Sequence, residues 1–131
     1  MEQVTFTRVT PEPVLEAYKK NNMKPVRRQW MNAYMTADVS GKQKMVLCGC
    51  ALATLIHQKD PAKFKELLQE PPYRKHQYVA DELGLPLEYV QGFTSGFDGG
   101  EPCDEGLQAV GYQDGAAVWQ ALEKAGLSQN T

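Results

Sequence analysis

Cys48-Gly49-Cys50, with His57 seven residues beyond, places two thiols and an imidazole in one short stretch. A structural zinc site uses two to four residues between paired cysteines and needs four ligands of matching reach. Here one residue separates the thiols, the run around them is apolar, and the nearest further candidates are Cys103 and His76. No metal site is expected, and these cysteines are read as small buried hydrophobes. A cysteine nucleophile needs a thiolate in a polar, partly exposed pocket with a histidine in reach. On one helix His57 lies two turns from Cys50, roughly 10 Å along the axis, too far for a hydrogen bond. A carboxylate pair for hydrolysis is not singled out among the sixteen acidic residues. Phosphate loop, dinucleotide fingerprint and nucleophile elbow are all absent from the sequence. No catalytic residue and no cofactor are assigned, and an enzyme is the third of three readings.

The basic residues suggest different chemistry. Lys24, Arg27, Arg28, Lys42 and Lys44 flank Trp30 and Tyr34, and Arg74 and Lys75 follow a pair of prolines. Guanidinium groups bind phosphates bidentately and exposed aromatics stack on bases, so the set suits an anionic partner or a nucleotide. The competing reading is an ordinary solvated surface with Trp30 in the core. Residues 1–80 hold 13 Lys/Arg against 7 Asp/Glu, whereas residues 81–131 hold one against nine. A nearly neutral chain is thus built from halves of opposite sign. A pI of 5.7 lacks the footprint of a duplex nucleic-acid binder.

Nine of the eleven glycines fall in the acidic half. Gly92, Gly96 and Gly100 are spaced by four, as are Gly111 and Gly115, which on helices sets a stripe where a neighbouring backbone comes close. The alternative makes the segment from Ser95 to Gly100 a loop whose N–H groups grip an anion. Asp98, Glu101, Asp104 and Glu105 would repel a phosphate there. The same carboxylates fail the EF-hand pattern, since Gly100 and Pro102 stand where oxygen ligands are needed.

The elements that position these residues follow from periodicity and caps. Thr10-Pro11-Glu12-Pro13 opens a helix that stops at Asn21-Asn22, and Asp60-Pro61 opens another with Phe64, Leu67 and Leu68 inward, ended by Pro71-Pro72. Val79 and Leu83 mark a third stopping at Gly84. Leu87, Val90, Phe93 and Phe97 mark a fourth, and Tyr112, Ala116, Trp119 and Leu122 a last one ending at Gly126. Met45 to Ile56 has no polar face and is read as the central buried helix, with a strand turning into a helix near Cys50 as the rival. Val39-Ser40-Gly41-Lys42 reads as a turn between short strands. The expectation is a mainly α, compact single domain over residues 1–131, of five or six helices with a small hairpin in residues 24–46; α+β is the alternative. With no apolar run near the roughly 20 residues of a membrane span, no secretory signal in view and an odd number of cysteines, a cytoplasmic protein with free thiols is expected.

Cys50-Ala51-Leu52, Leu83-Gly84-Leu85, the stretch from Tyr89 to Gly99 and Gly115-Ala116-Ala117-Val118-Trp119 resemble a scatter of short uncharacterised bacterial and phage proteins. Those share a Cys-x-Ala-Leu helix followed by a Gly-Phe-x-x-Gly-Phe-Asp-Gly segment. The likeness covers residues 45–120 and implies a bacterial or phage origin but no catalytic residue. The leading expectation is a non-catalytic protein that engages an anionic partner through Arg27, Arg28, Trp30, Lys42, Lys44, Arg74, Lys75 and Asp98, of the kind that inhibits a host system. The second is a nucleotide-sized ligand pocket built on Arg27, Arg28 or Arg74 with an aromatic lid.

Overall fold

The computed structural model describes residues 6–21, 23–27, 31–37, 39–102 and 105–127. Chain order runs α1 (Pro11–Asn21), β1 (Met23–Pro25), β2 (Met31–Ala37), β3 (Gln43–Gly49), α2 (Ala51–Lys59), α3 (Pro61–Gln69), α4 (Pro72–Leu83), α5 (Leu87–Asp98) and α6 (Gly106–Lys124). The architecture is mainly helical, with the expected hairpin as β2 and β3. These strands pair antiparallel in a register running from Met31 opposite Gly49 to Ala37 opposite Gln43. The turn takes Gly41 at φ 83°, a left-handed conformation that L side chains rarely adopt. β1 adds in parallel on the other side of β3, so the sheet order is β1-β3-β2.

The apolar run from Met45 is not one helix. Its first residues form β3 and the helix starts only at Ala51, so the strand-then-helix alternative holds. A continuous apolar run does not reveal its own period, and Val46, flanked by methionine and leucine, suits a strand between two neighbours as well as a buried helix. Cys50 makes the change of direction, with extended backbone at φ −72° and ψ 171° as N-cap of α2.

Helix boundaries elsewhere follow local chemistry. The Asp60 carboxylate accepts the Ala62 N–H at 3.0 Å and Pro61 occupies the first turn of α3. Gly84 and Gly99 close α4 and α5 in the left-handed conformation. Pro72, expected to end α3, instead opens α4 after the two-residue step of Glu70 and Pro71. Leu68 does not face inward as the periodicity suggested. It is 41% exposed, while Phe64 and Leu67 carry the buried stripe of α3.

One cluster of buried side chains joins α1, α2, α3, α4, α5 and α6, with Tyr18, Leu52, Ile56, Tyr89, Phe93, Phe97 and Leu122 among its largest members. α2 lies inside it, with Ala51 to Thr54 fully buried. The closest packing is between α5 and α6. A Cβ on Gly92 would lie 2.0 Å from the Gln108 carbonyl oxygen, and one on Gly96 2.1 Å from that of Tyr112. Gly111 and Gly115 return the contact, at 2.2 Å from Tyr89 O and 2.1 Å from Phe93 O. Partners rise together along both helices, so α5 and α6 run parallel. Gly92, Gly96, Gly111 and Gly115 are thus the faces on which two backbones touch, while Gly100, expected on the same stripe, lies past the end of α5 and meets Ser95 instead.

Candidate functional site

Arg27, Cys50, His76 and Asp98 come together around the C-terminal end of α5. Arg27, just past β1, donates its Nε–H to the Phe97 carbonyl at 2.7 Å. Its guanidinium lies over the Trp119 ring of α6, 4.0 Å from the centroid. It also passes close to Gly99, where a Cβ would sit 3.5 Å from the guanidinium atoms. A cation on the last carbonyls of a helix offsets the negative end of its dipole. Arg27 is therefore held by the frame of the protein rather than extended toward a ligand.

Lys75 has a similar role. Its ammonium donates to the Leu67 carbonyl at 2.6 Å, at the end of α3, and burial pulls its pKa below the usual lysine value. Lys59 does the same for α4 through Glu82 O at 2.6 Å. Three cations from the basic half thus satisfy the carbonyl ends of α3, α4 and α5. Across the halves, Arg8 grips Asp114 through two bonds of 2.9 and 2.6 Å, and Lys63 lies 3.6 Å from Glu82. Asp114 in turn accepts from the Tyr89 hydroxyl, which receives the Val9 N–H at 2.9 Å. Two ion pairs, Arg8–Asp114 and Lys63–Glu82, thus join the basic half to the acidic one.

The thiols, imidazole and carboxylate gather beside this end of α5. Burial pushes the Cys50 thiol up to about 12, with N–H groups of Ala53 and Leu52 pulling weakly the other way and the Asp98 charge adding to the rise. Burial also raises Cys48. Tyr18 is pushed well above the usual phenol value, first by burial and then by the charges of Cys50 and Asp98. Its hydroxyl donates to the Gly49 carbonyl at 2.7 Å, fixing α1 to the end of β3. His76 on α4 is lowered by burial, with Asp98 opposing. Around neutral pH the Cys50 group is a buried thiol, which is a poor nucleophile. His57 packs edge-on against Phe64 at 5.1 Å with its pKa lowered by burial, and its buried Nδ1 has no hydrogen-bond partner among the described residues. No group of three metal-ligating side chains occurs among the described residues.

The segment from Ser95 to Gly100 is not an anion-gripping loop. Residues 95–98 are the last turn of α5, and the N–H groups of Gly99 and Gly100 are bonded back to Gly96 O at 3.3 Å and Ser95 O at 2.8 Å. What it presents is carbonyl oxygen, and Arg27 answers that. Of the expected binding residues, Arg27 and Asp98 are brought to one place, Lys75 is at α3, Lys42 is exposed beside the hairpin turn and Arg74 is exposed on the first turn of α4. Arg28 and Trp30 lie outside the described residues, as does the Lys44 side chain, although β3 carries its backbone.

A cationic cluster that the motif reading passed over lies at the joint of α1 and β1. Lys19 and Lys20 end α1, Lys24 stands in β1, and all three are exposed without an ion-pair partner among the described residues. Asn21 pins this joint to the core by donating to Thr54 O at 3.1 Å and Thr54 Oγ1 at 3.2 Å. The signal was present as Lys19-Lys20 in a helix's last turn, which reads equally as dipole compensation. A cleft of ≈ 220 Å³ lies between the segment Thr7–Thr10 and Leu55, Leu83 and Leu85. It is below the roughly 300 Å³ at which ligand pockets usually begin.

No protein-family model, curated protein or solved structure matches this chain. Among the described residues no helix is long and apolar enough to cross a membrane.

Proposed function

We propose that this is a non-catalytic interaction protein that engages the acidic surface of a protein partner through the basic joint of Lys19, Lys20 and Lys24, with Arg74 as a further exposed cation. The observation that carries the reading is the difference among its cations. Arg8, Arg27, Lys59, Lys63 and Lys75 are engaged with carbonyls or carboxylates of the chain itself, while the three lysines of the joint are exposed and unpaired among the described residues. Exposed like charges on a pinned scaffold raise the local potential and speed encounter with an oppositely charged partner. In a bacterial or phage setting such a module suits the inhibition of a host protein.

The test is charge reversal at the joint. Lys19→Glu/Lys20→Glu/Lys24→Glu should keep the wild-type melting temperature, elute from an immobilised heparin matrix at lower salt, and lose the acidic proteins that wild type captures from a bacterial lysate. Unchanged elution and an unchanged captured set would overturn the reading. The nucleotide-pocket reading is weakened because Arg27 is already engaged at Phe97 and Trp119.

A further inference from the structure

Residues 6–10 precede α1 and lie outside every helix and strand. Among the described residues no backbone–backbone hydrogen bond ties them to the rest of the chain. What holds them is a set of contacts that meet at one place on α5 and α6. The Phe6 ring stands edge-on to Tyr89, with centroids 4.8 Å apart. Arg8 bonds both oxygens of Asp114, and the Val9 N–H donates to the Tyr89 hydroxyl at 2.9 Å. Tyr89 donates in turn to Asp114, so the three anchors share two side chains. Thr7, Arg8 and Thr10 are exposed and Phe6 and Val9 are half-buried, so the segment adds little apolar burial to those anchors. α1 is fastened separately, through fully buried Val14 and Ala17.

We propose that residues 6–10 form a detachable strap, latched at Tyr89 and Asp114, which opens as one unit while the helices stay folded. Segments with few backbone bonds and little burial open locally at a lower free energy than the whole domain. The catch is Arg8, whose side chain is 54% exposed, so solvent reaches the ion pair from one side and keeps it weaker than a buried one. Under the strap lies Tyr89, fully buried, and beside Val9 lies the cleft wall of Leu55, Leu83 and Leu85. Opening uncovers these apolar side chains without unfolding the helices that carry them. The lysine joint is at the other end of α1, so the strap does not depend on that reading.

Hydrogen exchange of the Val9 amide, followed by NMR on the full chain, tests the strap. In the wild type Val9 should be protected, yet exchange at least about tenfold faster than the amides of residues 90–97. Arg8→Gln and Phe6→Ala each remove an anchor that does not touch the Val9 N–H. Each should speed Val9 exchange by about fivefold or more, because the segment opens together. Low urea and the Asp60→Ala variant provide the opposite control. Both should speed residues 90–97 and leave Val9 nearly unchanged, since strap opening exposes little surface and does not involve α3. Should Phe6→Ala fail to fold, Phe6→Leu removes the same ring contact. An unprotected Val9 in the wild type, or one that neither anchor variant speeds, would overturn the proposal. So would a Val9 that follows urea and Asp60→Ala in step with residues 90–97.

Discussion

The parallel pair α5–α6 and the hairpin β2–β3 both depend on glycine, and the two uses are opposite. In the helix pair Gly92, Gly96, Gly111 and Gly115 are wanted for what they lack, since an added Cβ would lie 2.0–2.2 Å from a carbonyl oxygen of the facing helix. In the hairpin Gly41 is wanted for the backbone it can adopt, at φ 83° with nothing within 4 Å of an added Cβ. The first use locks an interior and the second lets a chain reverse in solvent. The comparison teaches where rigidity resides: the acidic, glycine-rich half is the frame, and the exposed basic joint and the strap of residues 6–10 belong to the other half.

The largest effect should come from filling the helix contact. Gly96→Ala or Gly115→Ala should destabilise by about 3 kcal/mol, the upper end for overpacking, because the obstacle is backbone that no side-chain rotation clears. Gly41→Ala should cost about 1 kcal/mol through its left-handed backbone alone. Urea denaturation of the variants separates them, and equal losses would erase the distinction. Next comes Arg27, which ties the chain between the strands to the end of α5. Arg27→Ala should cost about 2 kcal/mol by removing a bond to Phe97 O and the stacking on Trp119. Lys20→Ala should change stability by less than about 0.5 kcal/mol, as an exposed substitution away from such features. Asp60→Ala should cost about 1 kcal/mol for the lost cap of α3.

The smallest effect is a pH dependence. His57 and His76 both have pKa values below 6.5 because burial disfavours the imidazolium. The unfolded chain therefore takes up protons at higher pH than the folded one, so their stabilisation is complete above about pH 6.5 and is lost as pH falls below it. Melting temperature should drop between about pH 7 and 5.5, and the His57→Leu/His76→Gln variant should flatten that part of the curve. An unchanged slope in the variant would assign the acid sensitivity to other groups.

Helix ends were the most legible part of the fold, because Asp60, Pro61, Gly84 and Gly126 fix backbone geometry locally. The hairpin turn was legible for the same reason. β3 was not, since its sequence from Met45 to Cys48 is an unbroken apolar run without alternation, and its neighbours β1 and β2 supply the pairing that makes it a strand. The glycine stripes announced close approach, yet no local signal says that the facing helix is α6 or that it runs parallel. At the candidate site, residue type indicated charge but not direction. Nothing in the sequence separates Arg27 and Lys75, which reach back to helix carbonyls, from Lys19, Lys20 and Lys24, which stay in water. That sorting is tertiary, set by which helix ends the fold brings within reach of each cation.

Hydrogen–deuterium exchange on the intact protein tests the division of frame and surface most directly. The account predicts that amides in residues 88–98 and 109–124 exchange last, through global opening only, while residues 37–43 exchange first. Early exchange throughout α5 and α6, with the hairpin end protected as strongly as the core, would contradict it.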